Sequence, residues 1–171
     1  MTTNSVEYFK AVQYRIPEQI LSPIIIAWKL QTPENYGNLI RLADTVGAAK
    51  VLFVDSGIEL SQRKIRKTAG NSYKTIEFCF IPSEELWGNL PGGYELVALE
   101  TAAGSENIFK TKLPSNLALL VGSENAGIDQ DFLRFCDKVV HIPLTGNCTS
   151  LNVSHATAIA LFEWLRQVLP D

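Results

Sequence analysis

The residues richest in potential chemistry lie between Ile142 and Leu165, I-P-L-T-G-N-C-T-S-L-N-V-S-H-A-T-A-I-A-L-F-E-W-L. They read as a strand end, a glycine-bearing loop and the start of a long apolar helix. Thr149 or Ser150 can cap that helix, a side-chain oxygen accepting from an otherwise unpaired N–H of its first turn. Ser150 and Asn152 then bring polar groups to the positive end of the helix, which favours an anionic or carbonyl-bearing ligand.

A sheet must hold this loop. Ile24–Leu30 is β-rich, with Pro23 at its start where a missing N–H is tolerated, and reads as the first strand. Thr32–Asn38 reads as a polar turn. Leu39, Ile40, Leu42, Ala43 and Val46 then make a helical apolar stripe closed by Gly47. Lys50–Val54 follows as the second strand, so the spacing predicts a βαβ unit with parallel strands. Further strands are expected at Ile76–Ile81, Leu96–Thr101, Leu117–Val121 and Lys138–Ile142. Further helices are expected at Leu60–Thr68, from a Ser83 cap toward Trp87, at Asp131–Cys136 and at Ser150–Leu169. Met1–Ser22, with Tyr8, Phe9, Val12 and Tyr14, reads as an irregular arm lying on the domain or on a partner subunit. The expected architecture is α/β, one domain over residues 1–171, with an open, mostly parallel sheet and helices on both faces.

In such sheets ligands bind outside the carboxyl ends of the strands. Four polar loops follow strand ends: Thr32–Asn38, Glu100–Asn107, Gly122–Gly127 and Pro143–Ser150. Each holds a glycine, where backbone can approach a ligand. The sequence contains neither G-x-G-x-x-G nor G-x-x-x-x-G-K-[ST], so the usual dinucleotide and P-loop cradles are absent. It also lacks the G-x-S-x-G elbow of serine hydrolases.

Composition sets bounds. A chain of 171 residues, 46% hydrophobic and 19% charged, suits one ordinary globular domain. A net charge of −3 leaves any nucleic-acid binding to a local patch. Cys79, Cys136 and Cys148 form no C-x-x-C pair and are odd in number, which predicts a reduced, cytoplasmic protein without a zinc site. The N-terminus lacks a signal-peptide pattern, and the longest apolar run, near Pro23 to Trp28, is too short to cross a bilayer.

Three motifs run through the chain in order. They are Asn35-x-Gly37-x-x-x-Arg41, Gly122-Ser123-Glu124-x-x-Gly127, and Ile142-Pro143-Leu144 with Ser150-Leu151-Asn152-Val153-Ser154. Together they resemble the three motifs of the SpoU/TrmH class of SPOUT RNA methyltransferases, over residues 23 to 169. The short chain is similar to the minimal members that methylate the wobble ribose of tRNA. The resemblance implies an α/β fold with a C-terminal trefoil knot, S-adenosylmethionine as methyl donor, a homodimer, and an RNA substrate, tRNA ahead of rRNA, with no metal. It implies that Leu99, Glu100, Thr101, Gly122, Ile142, Leu144, Ser150 and Leu151 line the donor site, largely through backbone. It makes Arg41 the catalytic arginine and puts Asn35, Glu124, Ser150 and Asn152 near the reacting ribose. Glu100-Thr101-Ala102 departs from the threonine-rich run of many members.

Methyl transfer from a sulfonium to a ribose 2′-hydroxyl needs in-line placement and loss of a weakly acidic proton. Placement can supply roughly 7–11 kcal/mol. A guanidinium is essentially always charged. Arg41 therefore suits a clamp on the substrate phosphate and the developing alkoxide, with a phosphate oxygen or water taking the proton. A neutral Arg41 and Glu124 are the other candidates for that proton.

Each of these residues also has a plainer reading. Arg41 can be a surface charge; Asn35, Ser150 and Asn152 can be helix caps; Glu124 can cap a helix or pair with a lysine. His141 and His155 read as structural, and Cys148, without a partner, carries no chemistry. Arg63, Lys64, Arg66, Lys67 and Lys74 form the densest basic cluster, either a solvated helix face or a set of RNA-binding phosphate contacts. Two functions from different classes follow: an RNA 2′-O-methyltransferase, or a non-catalytic RNA-binding or assembly module of the same fold.

Overall fold

The computed structural model describes residues 4–12, 14–55 and 61–170. The strands are β1 (Ile24–Trp28), β2 (Lys50–Val54), β3 (Glu77–Ile81), β4 (Glu95–Leu99), β5 (Glu106–Asn107), β6 (Leu117–Val121) and β7 (Lys138–His141). They form one seven-stranded sheet in the order β3-β2-β1-β6-β4-β7-β5. Every strand pairing is parallel, where a mostly parallel sheet was expected. The helices are α1 (Ser5–Ala11), α2 (Pro33–Val46), α3 (Gln62–Ala69), α4 (Ser72–Thr75), α5 (Leu86–Asn89), α6 (Gln130–Leu133) and α7 (Val153–Val168).

The central strands β1 and β6 are buried along their whole length because both faces of the sheet are covered. Alternate residues serve opposite layers. Ile25, Ala27, Phe53, Leu119 and Val121 meet Tyr36, Leu39 and Ile40 of α2 and Leu161 and Trp164 of α7. Ile24, Ile26, Leu52, Val54 and Leu120 meet Leu86 of α5 and Phe132 and Leu133 of α6. No helix among the described residues is long and apolar enough to cross a membrane.

Several element boundaries differ from the sequence expectations, each for a local reason. The arm over Met1–Ser22 is not wholly irregular: α1 forms where the Asn4 side chain accepts from the N–H groups of Val6 and Glu7, yet it buries no residue. Thr32–Asn38 is the first turn of α2, with Pro33 at a position where its missing N–H costs nothing. Residue 60, the expected start of the third helix, lies outside the described residues. Pro82 rather than Ser83 precedes the turn toward Trp87, and the Ser83 N–H donates to the Asp55 carboxylate instead. The helix expected over Asp131–Cys136 runs from Gln130 to Leu133, and β5 is too short to leave a pattern in the sequence.

Two corrections bear on the site. The last helix starts at Val153, and its cap is Asn152 rather than Thr149 or Ser150. The Asn152 amide oxygen accepts from the Ser154 N–H at 2.9 Å. Gly37 serves packing, not ligand approach: it is buried where α2 crosses α3. A Cβ there would stand 2.5 Å from the Thr68 Cβ and 2.7 Å from the Ile65 backbone oxygen.

Candidate active site

A cavity of about 420 Å³ opens at the carboxyl ends of β4, β6 and β7. Three stretches line it: Leu99–Thr101 after β4, Val121–Glu124 after β6, and Ile142, Leu144 and Thr149–Val153 between β7 and α7. All eight residues that the resemblance gave to the donor site are in this lining, as are Glu124 and Asn152.

The loops are held by side-chain bonds to backbone. The Glu100 carboxylate accepts from the Thr101 N–H at 2.8 Å and from the Ile128 N–H at 2.9 Å, fastening the exit of β4 to that of β6. Gly127 is required beside it, since its φ is +65° and a Cβ would run into the Glu100 carboxylate. Gly122 is equally confined, because its Cβ position is filled by Gly127 backbone. Within the turn, the Ser123 hydroxyl accepts from the Ala126 N–H.

Glu124 neither caps the helix after Gly127 nor pairs with a lysine. Its carboxylate accepts from the Gln31 and Thr32 N–H groups at 3.1 and 3.2 Å and from the Asn35 amide at 2.6 Å. It thereby caps α2 from a distant loop, a favourable place for negative charge. Burial pushes the Glu124 carboxyl up. The hydrogen bonds from Asn35, Thr32 and backbone N–H groups outweigh it and hold the pKa below its ordinary value. The Asn35 carbonyl oxygen in turn accepts from the Asn152 amide at 3.1 Å. One motif residue from α2, one from the β6 loop and one from the cap of α7 are thus bonded in a row.

Other predicted residues are placed apart. Arg41 is exposed, nearly two turns beyond Asn35 on α2, and does not line the cavity of its own chain. Arg63, Lys64, Arg66, Lys67 and Lys74 lie on α3 and α4, outside this lining. Cys148 is exposed in the loop before α7. His141, read as structural, lines the cavity, with its Nδ1 2.9 Å from the Ser105 hydroxyl. Sequence reasoning missed Gln31 and Thr32, which contribute backbone N–H groups and therefore leave no residue-type signal.

The charge of the lining limits the ligand. The lining includes two acidic residues, Glu100 and Glu124, and among the described residues no lysine or arginine. The helix start at Asn152 suits a carbonyl-bearing ligand, but this surrounding disfavours a polyanion. Among the described residues, no three His, Cys, Asp or Glu side chains come together as a metal-holding group.

Known proteins resemble this chain in sequence and fold. The chain is 32% identical over 149 residues to the 23S rRNA (guanosine-2'-O-)-methyltransferase RlmB of Blochmanniella floridana, covering 86% of this chain and 59% of that protein. It is 28% identical over 159 residues to the tRNA (guanosine(18)-2'-O)-methyltransferase TARBP1 of Mus musculus, covering 91% of this chain and 10% of that protein. The crystal structure of an AdoMet-bound rRNA methyltransferase from Sinorhizobium meliloti superposes with a TM-score of 0.77 at 27% identity, covering 89% of this chain and 59% of that one. The chain therefore spans little more than half the length of the RlmB proteins it matches. Residues 22–162 match the SpoU rRNA Methylase family, and the chain belongs to that family.

Proposed function

We propose that this protein is an S-adenosylmethionine-dependent RNA methyltransferase acting on a ribose 2′-hydroxyl, of tRNA in the first reading. One observation carries the proposal. Among the described residues, the cavity at the strand ends is lined by two acidic residues and no lysine or arginine, and its lining residues Glu124 and Asn152 are bonded through Asn35. Such a lining suits a positively charged ligand and opposes a nucleotide phosphate. S-adenosylmethionine carries a sulfonium, and a cavity of about 420 Å³ lies within the range of small-molecule sites. Leu99, Glu100, Thr101, Gly122, Ile142, Leu144, Ser150 and Leu151 would hold it.

When bound, the donor supplies a methyl group on a positive sulfur that leaves as a neutral thioether. The ribose oxygen makes the new C–O bond as the C–S bond breaks, and its proton goes to a substrate phosphate oxygen or to water. Arg41 clamps that phosphate and the developing alkoxide. Asn152 orients the sugar; Asn35, buried and fixed at both ends of its amide, holds Asn152, and Glu124 keeps Asn35 in place.

Arg41 lies outside its own chain's cavity, so the reading includes a homodimer in which a cavity meets residues of either subunit. The exposed Val6, Phe9 and Phe162 are available for such an interface. The reading also includes a trefoil knot in the segment from β6 to α7, a single domain over residues 1–171, and action in the cytoplasm. Family membership supports the knot, as does the entry of β7 between β4 and β5. Similarity to RlmB favours rRNA as the second substrate reading.

The test is incubation with labelled donor and separate pools of tRNA and rRNA, with Arg41→Ala as control, followed by digestion to nucleosides. Label in a ribose-methylated nucleoside is expected, and Arg41→Ala should abolish it. Incorporation that survives Arg41→Ala removes the arginine's role. Donor binding with transfer to no RNA favours the non-catalytic module.

A further inference from the structure

A second cavity, of about 440 Å³, is lined by Gln62, Arg63, Arg66, Lys67 and Tyr73. It lies in the densest positive stretch of a chain whose net charge is −3: residues 61–76 hold five lysines and arginines and no aspartate or glutamate. The structure divides these five. Arg63, Arg66 and Lys67 share one face of α3 and line the cavity. Lys64 points elsewhere, paired with Glu34 at 3.4 Å, and Lys74 is not in the lining.

Arg66 is set in place by its neighbours. Its guanidinium carbon lies 6.0 Å from the centre of the Tyr73 ring. The Tyr73 hydroxyl donates to the Gln62 side-chain oxygen at 3.2 Å, and the ring packs edge-on against Phe78 at 5.1 Å. A planar donor fork already oriented loses less freedom on gripping an anion. Among the described residues, no carboxylate in the lining competes with that anion.

The packing of α3 on α2 bears on which anion this is. Glu34, which pairs with Lys64 of α3, and Asn35, which bonds Glu124 and Asn152, are neighbours in the first turn of α2. Gly37 of α2 also packs on Thr68 and Ile65, so α3, which carries the basic cavity, lies along the helix whose first turn is bonded to the donor site. An RNA strand whose reacting sugar sits at the donor cavity can lay another of its phosphates on α3.

We infer that this second cavity binds a backbone phosphodiester of the RNA substrate, away from the methylated ribose, through Arg63, Arg66 and Lys67, with Tyr73 as the positioning residue for Arg66. The inference rests on the methyltransferase reading for its choice of substrate.

The test is equilibrium binding of bulk tRNA to the full chain across a salt series, comparing wild type, Arg63→Gln/Arg66→Gln/Lys67→Gln and Lys64→Gln/Lys74→Gln. The triple variant should bind more than ~10-fold more weakly at low salt, and its slope of log affinity against log salt should fall by about 2–3. Its S-adenosylmethionine affinity should be unchanged, since the two cavities share no lining residue. The double variant should keep most of the slope. Tyr73→Leu should weaken binding several-fold, and Tyr73→Phe, which keeps the ring, should largely restore it.

A wild-type slope in the triple variant overturns the inference, as does an equal loss in the double variant. If the triple variant does not fold, Arg63→Gln and Lys67→Gln singly should each lower the slope by about 1. Methyl transfer by a wild type whose RNA binding ignores these residues sinks the cavity alone. Cavity-dependent RNA binding with no methyl transfer sinks the enzyme reading alone. No RNA binding at all sinks both.

Discussion

The Asn35 amide donates to the Glu124 carboxylate at 2.6 Å, across 89 residues of sequence. The same carboxylate takes the N–H groups of Gln31 and Thr32, so a loop after β6 closes the amino end of α2. The position of Asn35, which is buried behind the cavity and bonded to its lining residues Glu124 and Asn152, thus depends on a charge from another part of the chain.

Glu124→Gln tests that dependence. A glutamine offers one acceptor oxygen where the carboxylate offers two, so an N–H is left without its partner. Because Glu124 is exposed, the expected cost at neutral pH is only about 1 kcal/mol. The pH dependence follows from the lowered pKa. A carboxyl depressed below its ordinary value of 4.5 contributes stability in full above that value. The contribution is lost as pH falls through the folded pKa. The melting-temperature gap between wild type and Glu124→Gln should hold from pH 7 to about 5 and close in stronger acid.

Asn152 has two tasks that substitution can separate. Its oxygen caps α7 and its amide N–H groups reach Asn35. Asn152→Ala should lose both and lower stability by about 1 kcal/mol. Asn152→Asp should keep the cap and melt near wild type, yet present a carboxylate to the Asn35 carbonyl oxygen. Methyl transfer should fall at least about tenfold in both, read as turnover beside thermal melts.

Gly37→Ala should destabilise by about 1–3 kcal/mol, since its methyl meets Thr68 and α3 backbone. Thermal unfolding measures it. A variant as stable as wild type would mean that α3 can withdraw from α2 freely.

Arg41→Lys keeps the charge and loses the flat donor fork. Turnover should drop about 10²-fold while donor affinity by calorimetry stays within about twofold. The melting temperature should not move, because Arg41 is exposed. Donor affinity that falls with turnover would place Arg41 in donor binding instead.

The buried strands were the most legible part of the chain. Lys50–Val54 and Leu117–Val121 match their expected bounds to the residue, because apolar runs bounded by polar turns leave little choice. The ends of helices were not. Thr149, Ser150 and Asn152 are all fit to cap α7, and only the path of the loop decides for Asn152. The short α1 carries exposed Val6, Tyr8 and Phe9, whose lack of a buried face left no helical stripe to recognise. The family resemblance reaches ten members of the cavity lining, whereas Asn35 and Arg41 of the same motifs lie outside it. The bonds from Glu124 to Gln31 and Thr32 were out of reach, since residue type says nothing about which backbone amide a distant carboxylate will find.

The placement of β6 between β1 and β4, and of β7 between β4 and β5, has a consequence for the order of events in folding. Strands made early cannot close ranks; they must leave two slots for strands that the ribosome delivers later. Contact order is high as a result, and slow collapse with transiently bare strand edges should accompany it. A nascent chain halted before Leu117 would hold the three-stranded β3-β2-β1 piece and two unpaired strands, β4 and β5, and the cavity would lack its walls after β6 and β7.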